Sequence, residues 1–468
     1  MPHDAVVDLA QNVAATGFDD LAPGDVTATK HLVLDTLATL LAGSGEPPFE
    51  RLVAFLRTEG GRPESTILVH GGKVPARNAV IVNSAMARAI DLDDVHEESI
   101  VHTGVAVVPA ALAVAERQGD ISGREFMTAV ALGQDLMIRL SAACAIPPNL
   151  QGRPGTYVFG TFATAAVTAK LLGFERDRVV DALGNAYLRA TGSTLGYHDG
   201  ALSQRVLQGT SASEGVLAAL LADNGVGGIT NCLEGRGGYY PLYEGGRYDR
   251  DVLLRDLGRV VRGTETSLKP FPVHRGLNLE IEAALVVATT RDYRVEDIEH
   301  VAVRYPAVYA EGHANIGAFD PARADPKGPV EPHFADAWGV AVALVRRRAT
   351  LDDFTEAGVA AIRAEVVPVA RRVVGIADDA LAAIPGSVGP KIVEVTLTDG
   401  SVLSARVDHG KGSPANPFTW AESVAKFEDC SSRAAQPIGP AAQREVVDLV
   451  ARLDEVADVA RLASLLCP

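Results

Sequence analysis

The sequence predicts a mainly α-helical protein with a large all-α domain, built from both chain ends, and a smaller α+β lid domain. The chain has 468 residues, more than one ordinary core accommodates, so we expect two domains. Alanine-rich stretches with apolar residues at helical spacing fill the first half. Two later segments instead alternate apolar and polar residues with the period of a β-strand.

The N-terminal part begins with helical patterns. Asp25 is predicted to cap a helix through TATKHLVLDTLATLLAG that ends at Gly43. Residues 61–80 predict a short strand, a turn and the start of a helix that continues through Met86. Further helices are predicted over VVPAALAVAER, REFMTAVALGQDLMIRLSAAC, FATAAVTAKLLG, VVDALGNAYLRAT and SASEGVLAALLADNG. Gly119, Gly173 and Gly225 follow three of them, as helix-ending glycines do.

The pattern changes after residue 263. IEHVAVRYPAVY and KIVEVTLTDGSVLSARV read as strands, and Asp399-Gly400 in the second predicts a hairpin turn. Helices are predicted around AWGVAVALVRRR and VAAIRAEVVPVARRV, and again after residue 417 in REVVDLVARLDEV. We therefore predict that residues 1–268 and 406–468 form the helical domain and residues 269–405 the α+β lid domain.

Composition excludes several classes of function. The formal net charge is −16, which would repel phosphate backbones, so no nucleic-acid partner is expected. The four cysteines have no metal or iron–sulfur spacing and suit a reducing, cytoplasmic setting. The start lacks a basic segment followed by an apolar one, and no apolar run is long enough to cross a membrane. We expect a cytoplasmic protein without a membrane partner.

The stretch ARAIDLDDVHEESIVHTGVAVVPAALAVAE, residues 87–116, concentrates polar chemistry between two apolar runs. Asp91 and Asp94 are three residues apart and would share a face of a helix. His96 and His102 precede the next apolar run, where such groups are costly to desolvate without partners. The stretch is a candidate functional site, and the alternative is an acidic loop with its charges in water. Asp93, Asp94 and His96 lack a distant fourth partner, so no metal is expected.

Several segments together resemble one family, the MmgE/PrpD proteins, which includes 2-methylcitrate dehydratase, cis-aconitate decarboxylase and iminodisuccinate epimerase. The matching segments, in the family's order, are AIDLDDVHEESIVHTGVAVVPAALAVAE, FGTFATAAVTAKLLGF, GTSASEGVLAALLADNGVGGITNCLEGRGGYY, SLKPFPVHRGLNLEIEAAL, VEVTLTDG and NPFTWAESVAKF. The resemblance implies an all-α domain, an α+β lid, a homodimer, and a cofactor-free site between the domains for small di- or tricarboxylates.

Family positions carry over one by one in the first half. Asp91 matches the first aspartate of the D-[FL]-D-D segment, and His102 matches the histidine that closes it. The family's following threonine is Val95 here, with His96 beside it. The histidine-proline pair before the G-T-F segment is replaced by Arg153-Pro154.

The remaining positions depart from the family. The lysine of its T-K-x-L-H-x-G segment aligns with Gln204, which leaves Arg205 as the nearest cation. The late histidine of the K-P-[YF]-P segment falls on Asn278, with Lys269, His274 and Arg275 close in sequence.

These residues suggest roles in chemistry at a carbon next to a carboxylate. His102 is the candidate acid or base and Asp91 its assistant. Arg153 and Lys269 are the leading carboxylate clamp, because cations stabilise both a substrate carboxylate and the enediolate that forms from it. Tyr157 and His274 are further catalytic candidates.

Three hypotheses remain open at this point. The first is a dehydratase that acts on a small hydroxy polycarboxylate, with His96, Arg153, Gln204, Arg205, Lys269, Arg275 and Asn278 as substrate-binding candidates. The second is an epimerase or isomerase, or a decarboxylase, of a related polycarboxylate. The third is a catalytically degenerate member that serves as a binding or assembly protein.

Overall fold

The structure, a computed structural model, describes residues 3–198, 201–312 and 317–467. Two compact units divide the described chain. The first contains the described residues of Met1–Ala89, Asp93–Thr266 and Thr419–Pro468, and the second contains those of Ile90–Leu92 and Ser267–Phe418. The predicted fold class is confirmed, since helices predominate and the strands are few.

The regular elements follow in chain order. The helices are α1 Ala5–Ala15, α2 Pro23–Gly43, α3 Phe49–Thr58, α4 Ala76–Arg88, α5 Gly104–Gln118, α6 Gly123–Ala142, α7 Gly155–Leu171, α8 Arg176–Tyr187, α9 Leu195–His198, α10 Ser203–Asp223, α11 Tyr239–Tyr243, α12 Arg250–Leu254, α13 Arg275–Thr290, α14 Asp336–Arg346, α15 Glu356–Ala370, α16 Trp420–Ser431, α17 Pro440–Ala451 and α18 Ala460–Leu465. The strands are β1 Ser65–Thr66, β2 Lys73–Val74, β3 Ile298–Pro306, β4 Val373–Asp378, β5 Lys391–Leu397 and β6 Val402–Val407.

The core of the first unit consists of closely packed helices rich in small residues. Helices α5 and α7 are buried along almost their whole length, as expected for helices that are apolar on every side. Two glycines allow their neighbours to approach. A Cβ on Gly133 of α6 would lie 2.4 Å from Val167 Cγ2, and one on Gly215 of α10 would lie 2.2 Å from the Thr161 carbonyl oxygen. The packing of α6 and α10 against α7 therefore depends on these two positions.

The second unit is built on a four-stranded sheet of order β4-β3-β5-β6. Strand β3 pairs in parallel with β4 and antiparallel with β5, and β5 and β6 form an antiparallel hairpin. Helices α13, α14 and α15 contribute to one apolar core with the strands, around the fully buried Trp338. The predicted turn at Asp399-Gly400 is confirmed, and Gly400 has the positive φ of +81° that this turn requires.

One local prediction needs correction, and one strand was not predicted. Asp25 is not the helix cap, because α2 begins at Pro23 and the Asp25 carboxylate accepts a hydrogen bond from the Ala22 backbone N–H at 3.0 Å. Proline suits the first turn of a helix, so the helix starts earlier than the position of Asp25 suggested. Strand β4 was not predicted, because its sequence VVGIAD is short and carries little alternation.

In the part of the chain that the structure describes, we find no helix with the length and apolarity that crossing a bilayer requires.

Candidate functional site

The acidic segment between α4 and α5 is buried rather than solvated. Asp93 and Asp94 are each 1% exposed, His96 is 3% exposed and His102 is 9% exposed. The alternative of an acidic loop with its charges in water is therefore wrong. The idea that Asp91 and Asp94 share a helix face is also wrong, because α4 ends at Arg88 and Asp91 has a left-handed φ of +52°. Aspartate tolerates that conformation better than most residues.

His102 lies in the first unit with its Nδ1 atom against two oxygens. The Asp94 carbonyl oxygen is 2.7 Å from Nδ1, and Asp93 Oδ2 is 2.8 Å from the same nitrogen. Both oxygens are acceptors, so the neutral imidazole carries its proton on Nδ1 and its lone pair on Nε2. The backbone N–H of His102 donates to Thr156 Oγ1 of α7 at 3.1 Å, which holds the main chain in place. The basic nitrogen of the neutral ring is thus Nε2.

Asp94 stabilises the start of α5. Its carboxylate accepts hydrogen bonds from the backbone N–H and hydroxyl of Thr103, at 2.9 and 2.7 Å, and from the Gly104 N–H at 2.9 Å. These donors sit at the positive end of the helix dipole and favour a negative charge. Complete burial and the neighbouring Asp93 carboxylate outweigh them and raise the pKa of Asp94 to about 7.

His96 joins a second polar group of the first unit. Ser99 Oγ lies 2.7 Å from His96 Nδ1, and Glu265 Oε2 lies 3.1 Å from Nε2. Burial alone would raise the pKa of Glu265, but hydrogen bonds and charge from His96 and Arg262 lower it to about 2. Both ring nitrogens of His96 thus contact the protein, which holds the imidazole in one orientation.

Arg153 is paired with an acidic side chain of its own unit. Its Nη2 lies 2.6 Å from Glu244 Oε1, its Nη1 donates to the Tyr239 hydroxyl at 2.8 Å, and its guanidinium lies over the rings of Tyr239 and Tyr243. A substrate carboxylate at Arg153 would compete with Glu244.

Three further candidates of the first unit lie along α7 and α10. The Tyr157 hydroxyl donates to the Gln204 carbonyl oxygen at 3.3 Å, so the structure brings these two residues together. The Gln204 side chain donates to the Ser193 carbonyl oxygen at 3.4 Å. Arg205 forms an ion pair with Glu46 at 2.9 Å. These contacts join neighbouring segments of the helical unit.

Asp91 and Lys269 meet in the second unit. Lys269 Nζ donates to the Asp91 carbonyl oxygen at 2.8 Å and lies 3.3 Å from its Oδ2 atom. The two side chains are 5% and 1% exposed, so this is a buried ion pair. Such a pair retains both charges only because each offsets the desolvation of the other.

The other second-unit candidates are at the start of α13. His274 caps the helix: its Nδ1 accepts a long 3.5 Å hydrogen bond from the Leu277 N–H, and its Nε2 lies 2.8 Å from Asp336 Oδ2. The proton of the neutral ring therefore lies on Nε2. The side chains of Arg275 and Asn278 contact main chain.

These main-chain contacts connect the preceding loop with α13 and with the end of the unit. Arg275 Nη1 donates to the Lys411 carbonyl oxygen at 2.9 Å. The Asn278 amide accepts from the Phe271 N–H and donates to the Val273 carbonyl oxygen, both at 3.1 Å.

The predicted convergence of His102, Arg153 and Lys269 stays a prediction. His102 and Arg153 belong to the first unit and Lys269 to the second. Within the units, the contacts given above bring together Tyr157 with Gln204 and Asp91 with Lys269.

Sequence reasoning missed two buried charge groups. One is Asp93 with Arg88, whose Nη1 donates to Asp93 Oδ1 at 3.1 Å. The other is Glu280, whose carboxylate lies 3.8 Å from Lys391 Nζ, both fully buried. Burial and the nearby Asp336 carboxylate raise the pKa of Glu280 well above its usual value. For Arg88, Glu280 and Lys391, a lone charge in an apolar helix or strand was the available signal.

The fold and this candidate site define a class: mainly α-helical proteins with the buried imidazole and carboxylate groups that acid/base enzymes use. The family model of the MmgE/PrpD N-terminal domain matches residues 7–250, and that of the MmgE/PrpD C-terminal domain matches residues 271–454. The chain therefore belongs to the MmgE/PrpD family, and the resemblance seen in the sequence is confirmed.

One named relative aligns with nearly the whole chain, and two others align with more than half of it. A cis-aconitate decarboxylase of Aspergillus terreus is 26% identical over 479 residues, which cover 98% of this chain and 94% of that protein. A cis-aconitate decarboxylase-like protein of Aspergillus oryzae is 28% identical over 56% of this chain and 58% of its own length. A cis-aconitate decarboxylase of Mus musculus is 26% identical over 62% of this chain and 61% of its own length.

Proposed function

We propose that this chain is a cofactor-independent lyase that acts on a small di- or tricarboxylate by acid/base chemistry at the carbon next to a carboxylate. The observation that carries the proposal is His102, a buried imidazole whose contacts with Asp93 and Asp94 place its proton on Nδ1. Membership in the MmgE/PrpD family supports the substrate class.

Dehydration of a hydroxy acid uses His102 in its neutral form. Nε2 takes the proton from the carbon next to the carboxylate, and the electron pair spreads onto the carboxylate oxygens as an enediolate. A cation lowers the energy of that dianionic group, and the buried ammonium of Lys269 is our candidate. The electron pair then forms the double bond while the β-hydroxyl takes a proton from a general acid and leaves as water.

Decarboxylation is the second candidate, and the names of the relatives favour it. In this reaction the bond to a carboxylate breaks, carbon dioxide leaves, and the electron pair stays on the carbon chain. The protonated form of His102 then supplies the proton that completes the product. The same residue thus serves both reactions, as a base in one and as an acid in the other.

The other predicted residues bind substrate or maintain the local fold in this proposal. Asp91 holds Lys269 in place, and Arg153 binds a substrate carboxylate by exchanging its partner Glu244. His274, Arg275 and Asn278 organise the start of α13, because their contacts are with the helix and with main-chain carbonyl groups. We propose that these three maintain the local fold and take no part in proton transfer.

A single experiment separates the candidate reactions. The purified 468-residue chain is incubated in deuterated water with citrate, isocitrate, 2-methylcitrate and cis-aconitate, each followed by proton NMR. Growth of an alkene from a hydroxy acid supports dehydration, and loss of carbon dioxide from cis-aconitate supports decarboxylation. Deuterium uptake with inversion and no alkene would support the epimerase instead. If folded protein transforms none of these acids, the proposal is contradicted and the binding-protein hypothesis gains support.

A further inference from the structure

We propose that Asp93, held by Arg88, is a positioning residue that sets the tautomer of His102; this inference rests on the proposed function. Asp93 connects two elements of the first unit. Its Oδ1 accepts from Arg88 Nη1 at 3.1 Å, at the end of α4, and its Oδ2 lies 2.8 Å from His102 Nδ1. The three side chains form a buried sequence of cation, carboxylate and imidazole.

Burial makes this arrangement strongly oriented. The side chain of Asp93 is 1% exposed and that of Arg88 is 8% exposed, so water cannot substitute for either partner. Asp93 Oδ1 accepts from the guanidinium, and Oδ2 lies within ion-pair distance of the imidazole Nδ1, which also contacts the Asp94 carbonyl oxygen. Arg88 therefore acts on His102 through Asp93: it holds the carboxylate beside Nδ1.

Three charged residues take part in the contacts of His102 and Asp93 given above. Asp93 faces it directly, Arg88 of α4 lies behind Asp93, and Asp94 contributes its carbonyl oxygen while its carboxylate is turned to the start of α5. From α7, the neutral hydroxyl of Thr156 accepts from the backbone N–H of His102 and not from its ring. Of these groups, the negative carboxylate of Asp93 lies nearest to the ring. Asp93 Oδ2 and the Asp94 carbonyl oxygen both favour the tautomer with its proton on Nδ1.

The geometry gives an Asp93→Asn variant a specific defect. Two donors cannot face each other, so Arg88 holds the carbonyl oxygen of the introduced amide and turns its NH₂ group toward His102 Nδ1. A donor at Nδ1 favours the opposite tautomer, with the proton on Nε2, where the lone pair is needed. A comparable substitution behind the histidine of a serine-protease triad lowers kcat by about 10⁴-fold. The Asp94 carbonyl still favours the correct tautomer here, so we expect a loss of about 10²- to 10³-fold in kcat.

The experiment measures kcat/KM against pH for the wild type and the variant, on whichever of the four acids above the wild type transforms. Loss of the adjacent negative charge should move the limb assigned to the imidazole by about one pH unit to lower pH. Nitrogen NMR of the ¹⁵N-histidine-labelled chain, with the His102 signal assigned by its absence in His102→Gln, should report Nδ1–H in the wild type and Nε2–H in Asp93→Asn.

Two further variants test whether Arg88 acts on His102 through Asp93. Arg88→Met combined with Asp93→Asn frees the amide to turn its oxygen toward Nδ1, so the double variant should regain at least tenfold of the lost kcat, by the tautomer argument given above. Asp135→Asn is the matched control, because Asp135 is also a buried aspartate paired with an arginine, Arg139, at 2.7 Å. It should lower thermal stability comparably but leave the pH profile and the His102 tautomer unchanged.

The outcomes separate the two proposals. If folded Asp93→Asn retains the wild-type kcat, pH profile and tautomer, the positioning role is wrong and the proposed lyase activity stands. If the wild type transforms none of the acids, the lyase proposal fails, and the nitrogen spectra still decide whether Asp93 sets the tautomer.

Discussion

His102 and His274 each precede a helix and lie beside a buried aspartate, yet the structure gives them opposite tautomers. His102 presents Nδ1 to the oxygens of Asp93 and Asp94, so its lone pair is on Nε2. His274 uses its Nδ1 lone pair to cap α13 and directs Nε2 to Asp336. Residue type and a nearby carboxylate therefore do not identify a catalytic histidine. What distinguishes the two is which nitrogen carries the lone pair in the neutral ring.

The largest expected effect is a loss of kcat when His102 is replaced. His102→Gln keeps a polar side chain of similar reach but removes the proton acceptor, so kcat should fall by about 10²- to 10⁴-fold. Steady-state kinetics on the acid that the wild type transforms measures the loss. Circular dichroism and thermal unfolding provide the folding control. A folded variant with more than a tenth of wild-type kcat would show that another group carries the proton.

The next effect concerns the buried pair of the second unit. Lys269→Met leaves the Asp91 carboxylate buried without its cation, so the free energy of unfolding should fall by about 3–5 kcal/mol. Urea unfolding measures this change. Lys327→Met, at an exposed lysine of the same unit, should change it by less than about 0.5 kcal/mol. Adding Asp91→Asn to Lys269→Met should restore part of the lost free energy of unfolding. If nothing is restored, the cost of Lys269→Met comes from a group other than Asp91.

A third effect is a pH dependence from Asp94. Its pKa is raised from 3.8 to about 7 in the folded protein, so the folded state binds the proton more tightly than the unfolded state. Stability linked to Asp94 is therefore present below pH 4 and is lost as pH rises toward 7. Asp94→Asn lacks this titration, so its stability relative to wild type should improve between pH 4 and pH 7. Unfolding measured at several pH values tests the trend, and a constant difference would contradict it.

The smallest expected effect is on kcat and stability when His274 is replaced. Asparagine is among the best helix caps, so His274→Asn keeps an acceptor for the Leu277 N–H and loses the contact with Asp336. We expect kcat to change by less than about threefold and stability to fall by about 1 kcal/mol. A loss of more than a hundredfold in kcat, in a variant that unfolds at the wild-type temperature, would restore His274 as a catalytic residue.

Sequence reasoning predicted many of the regular elements, whereas its site residues stay predictions. Helical spacing located the apolar helices such as α6 and α7, and Asp399-Gly400 located the hairpin, because period and turn chemistry depend on neighbouring residues. The same reasoning placed Asp25 at a cap and missed β4, where signals were short. For the site, it selected His102 and Asp91 by family position but passed over Asp93 and Arg88, whose roles depend on burial and on contact.

The sequence by itself determined the fold class, the long apolar helices, the β5–β6 hairpin and membership in the MmgE/PrpD family, because local periodicity, turn residues and ordered motifs carry this information. Only the tertiary structure decided that Asp93 is buried between Arg88 and His102, that Asp91 pairs with Lys269 across a long stretch of chain, and which nitrogen of each histidine is basic. The physical reason is that charge state and tautomer follow from desolvation and from partners within a few ångströms, and folding alone supplies both.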